Sequence, residues 1–292
     1  MSSFAEAAAR APHDLHVALE NWFNARGSED PATVTDHFDA AFRLISPTGK
    51  VVANPGFVGA VPGMRGSRPG LKMEIADVDD TAKAQGLFLK HGIDREHPLS
   101  SLLDAEYKAK LDSATKAMGL PVGSLEVFKP WMAGLTLTMA PLVKAGYDPQ
   151  SGVELILKSE ALKAKKPVNG FETLEQQVMF FATLEPSIQM AFLKETLDDY
   201  DNAATQLDGL AASWVKGDVK SIERDMIRPM RKESPGLYKV LLADRNADWA
   251  RQIKARLAGK GVTFVAVGAA HLAGPDSVQN QLKKLGVRAK LY

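Results

Sequence analysis

The chain has 292 residues, enough for one large domain or two with a substantial core. Its 45% hydrophobic and 24% charged content belongs to a folded globular protein, and 36 basic against 35 acidic residues exclude a global attraction to nucleic acid or anionic lipid. The lack of cysteine excludes disulfides, thiolate nucleophiles and cysteine-ligated zinc.

The N-terminal stretch from Met1 to Arg10 lacks a basic start followed by an apolar run, and no later run is long enough to span a bilayer. At face value the chain is expected in the cytoplasm, with the periplasm open if its native start lies upstream. Residues 4–26 carry an apolar stripe of Leu15, Val17, Leu19, Trp22 and Phe23 that predicts a helix ending near Gly27. A second helix is expected from Pro31 to Phe42. Pro47-Thr-Gly49 reads as a turn between two short strands, and the Gly/Pro-rich residues 53–70 as a loop.

Leu71 to Val78 alternates like a strand, with Glu74 on one face and Met73 and Ile75 on the other. Helices are expected over 79–92 and 101–118, with Pro98-Leu-Ser100 as the N-terminal signal of the second. Lys129-Pro-Trp131 opens an apolar helix to about Ala145, and another runs from Val153 to Lys165. The basic cluster Lys158 to Lys166 reads as a solvated helix face. A short strand around Lys166 to Thr173 then enters a long helical region reaching Trp214, followed by helices over 218–232 and 235–259.

Val262 to Val267 is the clearest strand of the chain: apolar and β-branched residues run into Gly268-Ala-Ala-His271. Open α/β sheets bind ligands beyond the carboxyl ends of their strands, which makes His271 a candidate for chemistry. The alternative is an imidazole that caps a strand end and bonds locally. A helix over 275–285 and a strand from Val287 to Tyr292 complete the pattern. Helices with few short strands predict an α/β or mixed α+β fold, a small central mixed sheet with many surrounding helices.

Several segments together resemble the TraB/GumN family, relatives of the Tiki metalloproteases, over residues 71–292. They are Leu125-Glu-Val-Phe-Lys-Pro-Trp131, Gly146-Tyr-Asp148 with Gly152-Val-Glu154, the run from Lys165 to Gln177, Trp214-Val-Lys-Gly-Asp218, Asp244-Arg-Asn-Ala-Asp-Trp249 and Phe264 to Gly274. In Tiki-like members two Gly-x-x-His motifs, a Glu and an Arg form a metal-dependent peptidase site. The second motif corresponds to Gly268-Ala-Ala-His271. Glu74 matches the early acidic residue, Arg245 the basic residue of the Arg-Asn-x-x-Trp segment, and Glu172 the acidic residue before Thr173.

The resemblance therefore implies a metal-dependent hydrolase, of the peptidase kind, holding a divalent metal ion. His271 would be a metal ligand, Glu74 and Glu172 ligands or proton acceptors, and Arg245 a stabiliser of the developing oxyanion. A peptide or small molecule is the implied substrate, with no nucleic acid and no membrane span. Oligomeric state is open.

The chain departs from the family in its first motif. No Gly-Thr-x-His strand precedes Glu74; His13, His16 and His37 lie in helical patterns, and His91 and His97 read as surface residues. Residues 1–78 instead resemble the opening of a SnoaL-like domain, through His16 to Phe23, Phe42 to Gly49 and Gly66 to Ala76, so that 1–70 is a partial N-terminal segment before the family region. Two further functions follow as alternatives: a catalytically inactive family member acting as a binding or scaffold protein, and a small-molecule binder with a SnoaL-like pocket. Local readings of the site residues stand beside these: a helix-surface ion pair of Arg245 with Asp244 or Asp248, a helix-start carboxylate for Glu172, and core positions for Trp131, Trp214 and Trp249.

Overall fold

The computed structural model describes residues 42–45, 51–53, 72–75, 81–147, 153–259 and 263–291. The helices expected over 4–26 and 31–42, with His13, His16 and His37, lie outside the described residues, as do the turn at 47–49 and most of the loop 53–70.

The described residues are predominantly helical. Six short strands pair with one another: β1 (Phe42–Ile45), β2 (Val51–Ala53), β3 (Lys72–Ile75), β4 (Val168–Gly170), β5 (Thr263–Ala266) and β6 (Ala289–Leu291). Their order is β4-β3-β5-β1-β2-β6. β1 is antiparallel to β2 and to β5, whereas β3 runs parallel to both β4 and β5. Glu74 stands opposite Asn169 on one side and Val265 on the other. The carboxyl ends of β3, β4 and β5 therefore share one edge, and the chain leaves β4 toward Glu172 and β5 toward His271.

The helices follow the sequence pattern closely. α1 is Thr81–Gly92, α2 Ala105–Ala117, α3 Pro130–Lys144 and α4 Val153–Lys163. α2 is started by Asp104, whose side chain accepts from the Tyr107 N–H, while Pro98 precedes a separate 3-10 turn, Leu99–Leu102. The expected start at Pro98-Leu-Ser100 is therefore displaced to Asp104, whose carboxylate satisfies an orphan N–H of the first turn, while the Ser100 N–H goes to Glu126. α3 begins with Pro130, where a missing N–H costs nothing.

The long helical region after β4 divides into α5 (Leu174–Ala182), α6 (Pro186–Asp199) and α7 (Ala203–Val215). Pro186 forces the first break, since its ring fits only a helix start. Thr173 starts α5 through a capping box, accepting from the Gln176 N–H while the Gln176 side chain accepts from the Thr173 N–H.

Two π turns interrupt the next helices: Glu223–Ile227 follows α8 (Val219–Ile222) and leads into α9 (Arg228–Glu233), and Lys239–Ala243 joins α10 (Pro235–Tyr238) to α11 (Asp244–Leu257). His271 lies in a 3-10 turn, Ala269–Leu272, and α12 (Val278–Lys284) begins later than the sequence suggests.

α11 carries the stripe that seats the site. Asn246, Trp249, Ala250 and Ile253 are its buried residues, at the spacing of one helix face. Trp249, Ala250 and Ile253 pack with Phe171, Val265, Val267, Leu272, Val278 and Leu282 in one core cluster. A second cluster joins Leu111, Ala114, Ala133, Leu137, Leu193 and Leu197 of α2, α3 and α6. Close approach of α3 and α6 depends on Gly134: a Cβ there would stand 2.6 Å from Cε1 of Phe192.

Candidate functional site

Three of the residues singled out by sequence meet on this core. Glu172 follows β4, and only 7% of its surface is exposed. Arg245 clasps its carboxylate from α11, with Nε 2.9 Å from Oε1 and Nη2 2.8 Å from Oε2. A further contact joins Nε to Oε2 at 3.2 Å, and the Trp249 indole N–H donates to Oε1 at 2.7 Å. This fork on a carboxylate is the geometry guanidinium provides and lysine does not. Arg245 also donates from Nη1 to the Leu241 carbonyl, and its guanidinium lies 4.9 Å from the Trp249 ring centre and 5.2 Å from that of Phe180.

The local alternatives for these residues resolve in a specific way. Asp244 is taken by Lys239 and Asp248 by Arg251, leaving Arg245 to Glu172. Glu172 does not cap α5, because Thr173 does. Trp131 and Trp249 are fully buried, and Trp214 packs at the margin of another cluster.

His271 is also buried, at 8% exposure, with its ring centre 4.3 Å from that of Trp249. Its Nδ1 is 2.6 Å from Oδ1 of Asn246, and Nδ2 of Asn246 donates to the Asp276 carbonyl at 2.8 Å. Burial first, and the positive charge of Arg245 second, push the imidazole down to about 3, so it is neutral at physiological pH. The Asp276 carboxylate accepts the Tyr238 hydroxyl at 3.0 Å and the Gln281 amide at 3.1 Å. Burial and then that bond to Asp276 raise the Tyr238 phenol to about 12.

Gly268 has φ of −56°, and a Cβ there would make only an ordinary 3.8 Å contact with His271. The fold itself does not demand glycine at 268. Gly274 is different: its φ is +78° and a Cβ would come within 2.8 Å of Ile227, in the first π turn.

Asn246 is the residue that sequence reasoning missed. Its signal was legible: a polar side chain on the apolar stripe of α11, at the position where the Trp249, Ala250 and Ile253 face begins. Asp276 carried no comparable signal. Its contribution to His271 passes through a backbone carbonyl, which any residue would supply.

The described residues do not by themselves assemble a divalent-metal site, and His271 is the one ligand-competent donor among the three that meet. A neutral imidazole is the ligand form of histidine. Glu172 is already fully engaged: each oxygen accepts two contacts from Arg245 and Trp249. Among the described residues no group of three His, Asp or Glu comes together. His97 pairs with Asp94 instead of approaching His271. Glu74 enters through its strand position beside β5.

The described residues form a predominantly helical fold in which Glu172, Arg245 and His271 come together near the ends of β4 and β5. The chain belongs to the TraB/PrgY/gumN family, whose model matches residues 70–290. It is similar to the uncharacterized protein YbaP of Escherichia coli (strain K12), 26% identical over 185 residues that cover 63% of this chain and 68% of YbaP. It is also similar to an uncharacterized protein of Treponema pallidum, 20% identical over 219 residues covering 71% of this chain and 65% of that protein. No solved structure matches the chain. The family match begins at residue 70 and gives no support to a SnoaL-like character for the residues before it. Among the described residues no helix is long and apolar enough to cross a membrane.

Proposed function

We propose that the protein is a metal-dependent hydrolase, with a peptide as the substrate class, acting at the carboxyl edge of β3, β4 and β5. The observation that carries this reading is a buried, neutral His271 just beyond β5, with Glu74 on the adjacent parallel strand. His271 and Glu74 would hold the ion, which when bound acidifies a water and polarises a carbonyl.

Glu172 serves a different purpose in this reading. It fixes Arg245 across the site and offsets its charge in a water-poor setting. Arg245 retains N–H groups on Nη1 and Nη2 beyond those that bind Leu241 and Glu172, and these are suited to a developing oxyanion. The aromatic faces of Phe180 and Trp249 hold the guanidinium in place.

The engaged carboxylate of Glu172 favours a second reading, a family member that keeps the fold and binds without catalysis. Elemental analysis of purified protein and of His271→Ala separates the two. Stoichiometric zinc, manganese or iron in the parent, lost in the variant, supports the hydrolase and directs a peptidase screen. No metal in either after loading with each ion moves the assignment to binding.

A further inference from the structure

We infer that Asn246 is the positioning residue of this site: it holds His271 in the tautomer with hydrogen on Nδ1, so that Nε2 presents a lone pair. The inference deepens the proposed hydrolase reading and rests on it only for what Nε2 would bind.

The argument begins at a backbone atom. The Asp276 carbonyl can only accept, so the group of Asn246 facing it at 2.8 Å must be the amide nitrogen. A flipped amide would set oxygen against oxygen in a buried place. The Asn246 oxygen is thereby committed to His271, 2.6 Å from Nδ1. An oxygen acceptor opposite a ring nitrogen requires hydrogen on that nitrogen. A ring this buried, with an amide and not a carboxylate on Nδ1, has no counter-ion to hold a second proton, so Nε2 then carries none.

The surroundings keep this chain of bonds in one arrangement. Asn246 is 2% exposed, so water does not compete for its amide. Asp276 is tied through its own carboxylate to Tyr238 of α10 and Gln281 of α12. Trp249 stands against the imidazole. Turning the ring over would place a carbon opposite Asn246 Oδ1 and forfeit the bond. Outer partners of this kind orient a ligand histidine and set its tautomer, and their loss weakens metal binding about 10- to 100-fold.

The test is proton–nitrogen correlation NMR on the full chain labelled with 15N-histidine, free of metal, with His271 assigned by its loss in His271→Gln. The expected spectrum has a protonated Nδ1 and a bare Nε2 at pH 7. Asn246→Leu, which removes the acceptor, is expected to shift His271 toward hydrogen on Nε2 and to weaken Co2+ binding, followed by its visible absorbance, by 10- to 100-fold. Hydrogen on Nε2 in the parent overturns the inference, and so does a folded Asn246→Leu that keeps the parental tautomer. If Asn246→Leu does not fold, the parental spectrum decides alone. The expected tautomer without any uptake of Co2+, zinc, manganese or iron leaves the inference standing and overturns the metal reading instead.

Discussion

Replacing Arg245 with methionine isolates the energetics at the centre of the site. Methionine retains an apolar stem against Phe180 and Trp249 and deletes the charge together with all its N–H donors. Glu172, whose side chain is 5% exposed, then keeps the Trp249 indole as its described donor. At 17% exposure for Arg245 the pair belongs with interior ion pairs, for which losing one partner costs about 3–5 kcal/mol, not with surface pairs worth about 1 or less. At about 2–4 °C per kcal/mol, the melting temperature should fall by roughly 10 °C. Urea denaturation of the parent, Arg245→Met and Arg245→Met with Glu172→Gln measures the effect. The double variant should recover part of the loss, since the stranded charge is gone. A single variant within about 1 kcal/mol of the parent, or a double no better than the single, would refute the claim that a buried charge is being neutralised.

Two further outcomes follow from the same structure. His271 is held at about 3 in the folded chain against an ordinary 6.5, so between these values the unfolded chain takes a proton that the folded one refuses. The cost of keeping the ring neutral is absent above pH 6.5 and grows as pH falls toward 3; from pH 6.5 to 5 it amounts to about 2 kcal/mol. Denaturation of His271→Gln across that range should show a flatter pH dependence than the parent, and parallel curves would sink the assignment. At Gly134, alanine gains helix propensity of about 1 kcal/mol yet collides with Phe192 at 2.6 Å, so Gly134→Ala is expected to cost about 1–3 kcal/mol net, with recovery on adding Phe192→Leu. Equal melting temperatures for the parent and Gly134→Ala would show that α6 shifts without cost.

The sequence was informative where one residue type answers one local demand. Pro130 marks the start of α3, and the apolar run of β5 reads directly as a strand entering Gly268. It was less informative where alternatives compete over a few residues. Pro98-Leu-Ser100 looks like a helix start, yet the cap of α2 is Asp104, which only the N–H geometry reveals. The π turns have no composition of their own: Lys239–Ala243 reads as ordinary helix, although it ends two residues before Arg245 and its Leu241 carbonyl receives Nη1. At the site, the resemblance named Glu74, Glu172, Arg245 and His271 and implied a role for each, but not which of them bond to one another. Asp244 and Asp248 lie nearer to Arg245 in sequence, and a surface ion pair with either would have been the simpler arrangement. Burial removes that ambiguity. Asp244 and Asp248 remain at the surface with Lys239 and Arg251, while Glu172 reaches the inward face of α11 across a long stretch of chain.

That arrangement divides the work among the charged residues. A carboxylate whose two oxygens each accept two donors has few lone pairs left for a water, and one clasped by guanidinium is a poor place for a second cation. The Arg245–Glu172 pair is therefore better understood as a fixed local charge arrangement than as a proton carrier. Its net effect on His271 is visible in the direction of the imidazole shift: the cation of Arg245 adds to burial in keeping that ring unprotonated. With hydrogen on Nδ1, as inferred from its bond to Asn246, a neutral ring would be competent as an electron-pair donor through Nε2 and incompetent as a proton donor there. In the proposed hydrolase this leaves Glu74, on the neighbouring strand, as the partner of His271 in holding the ion.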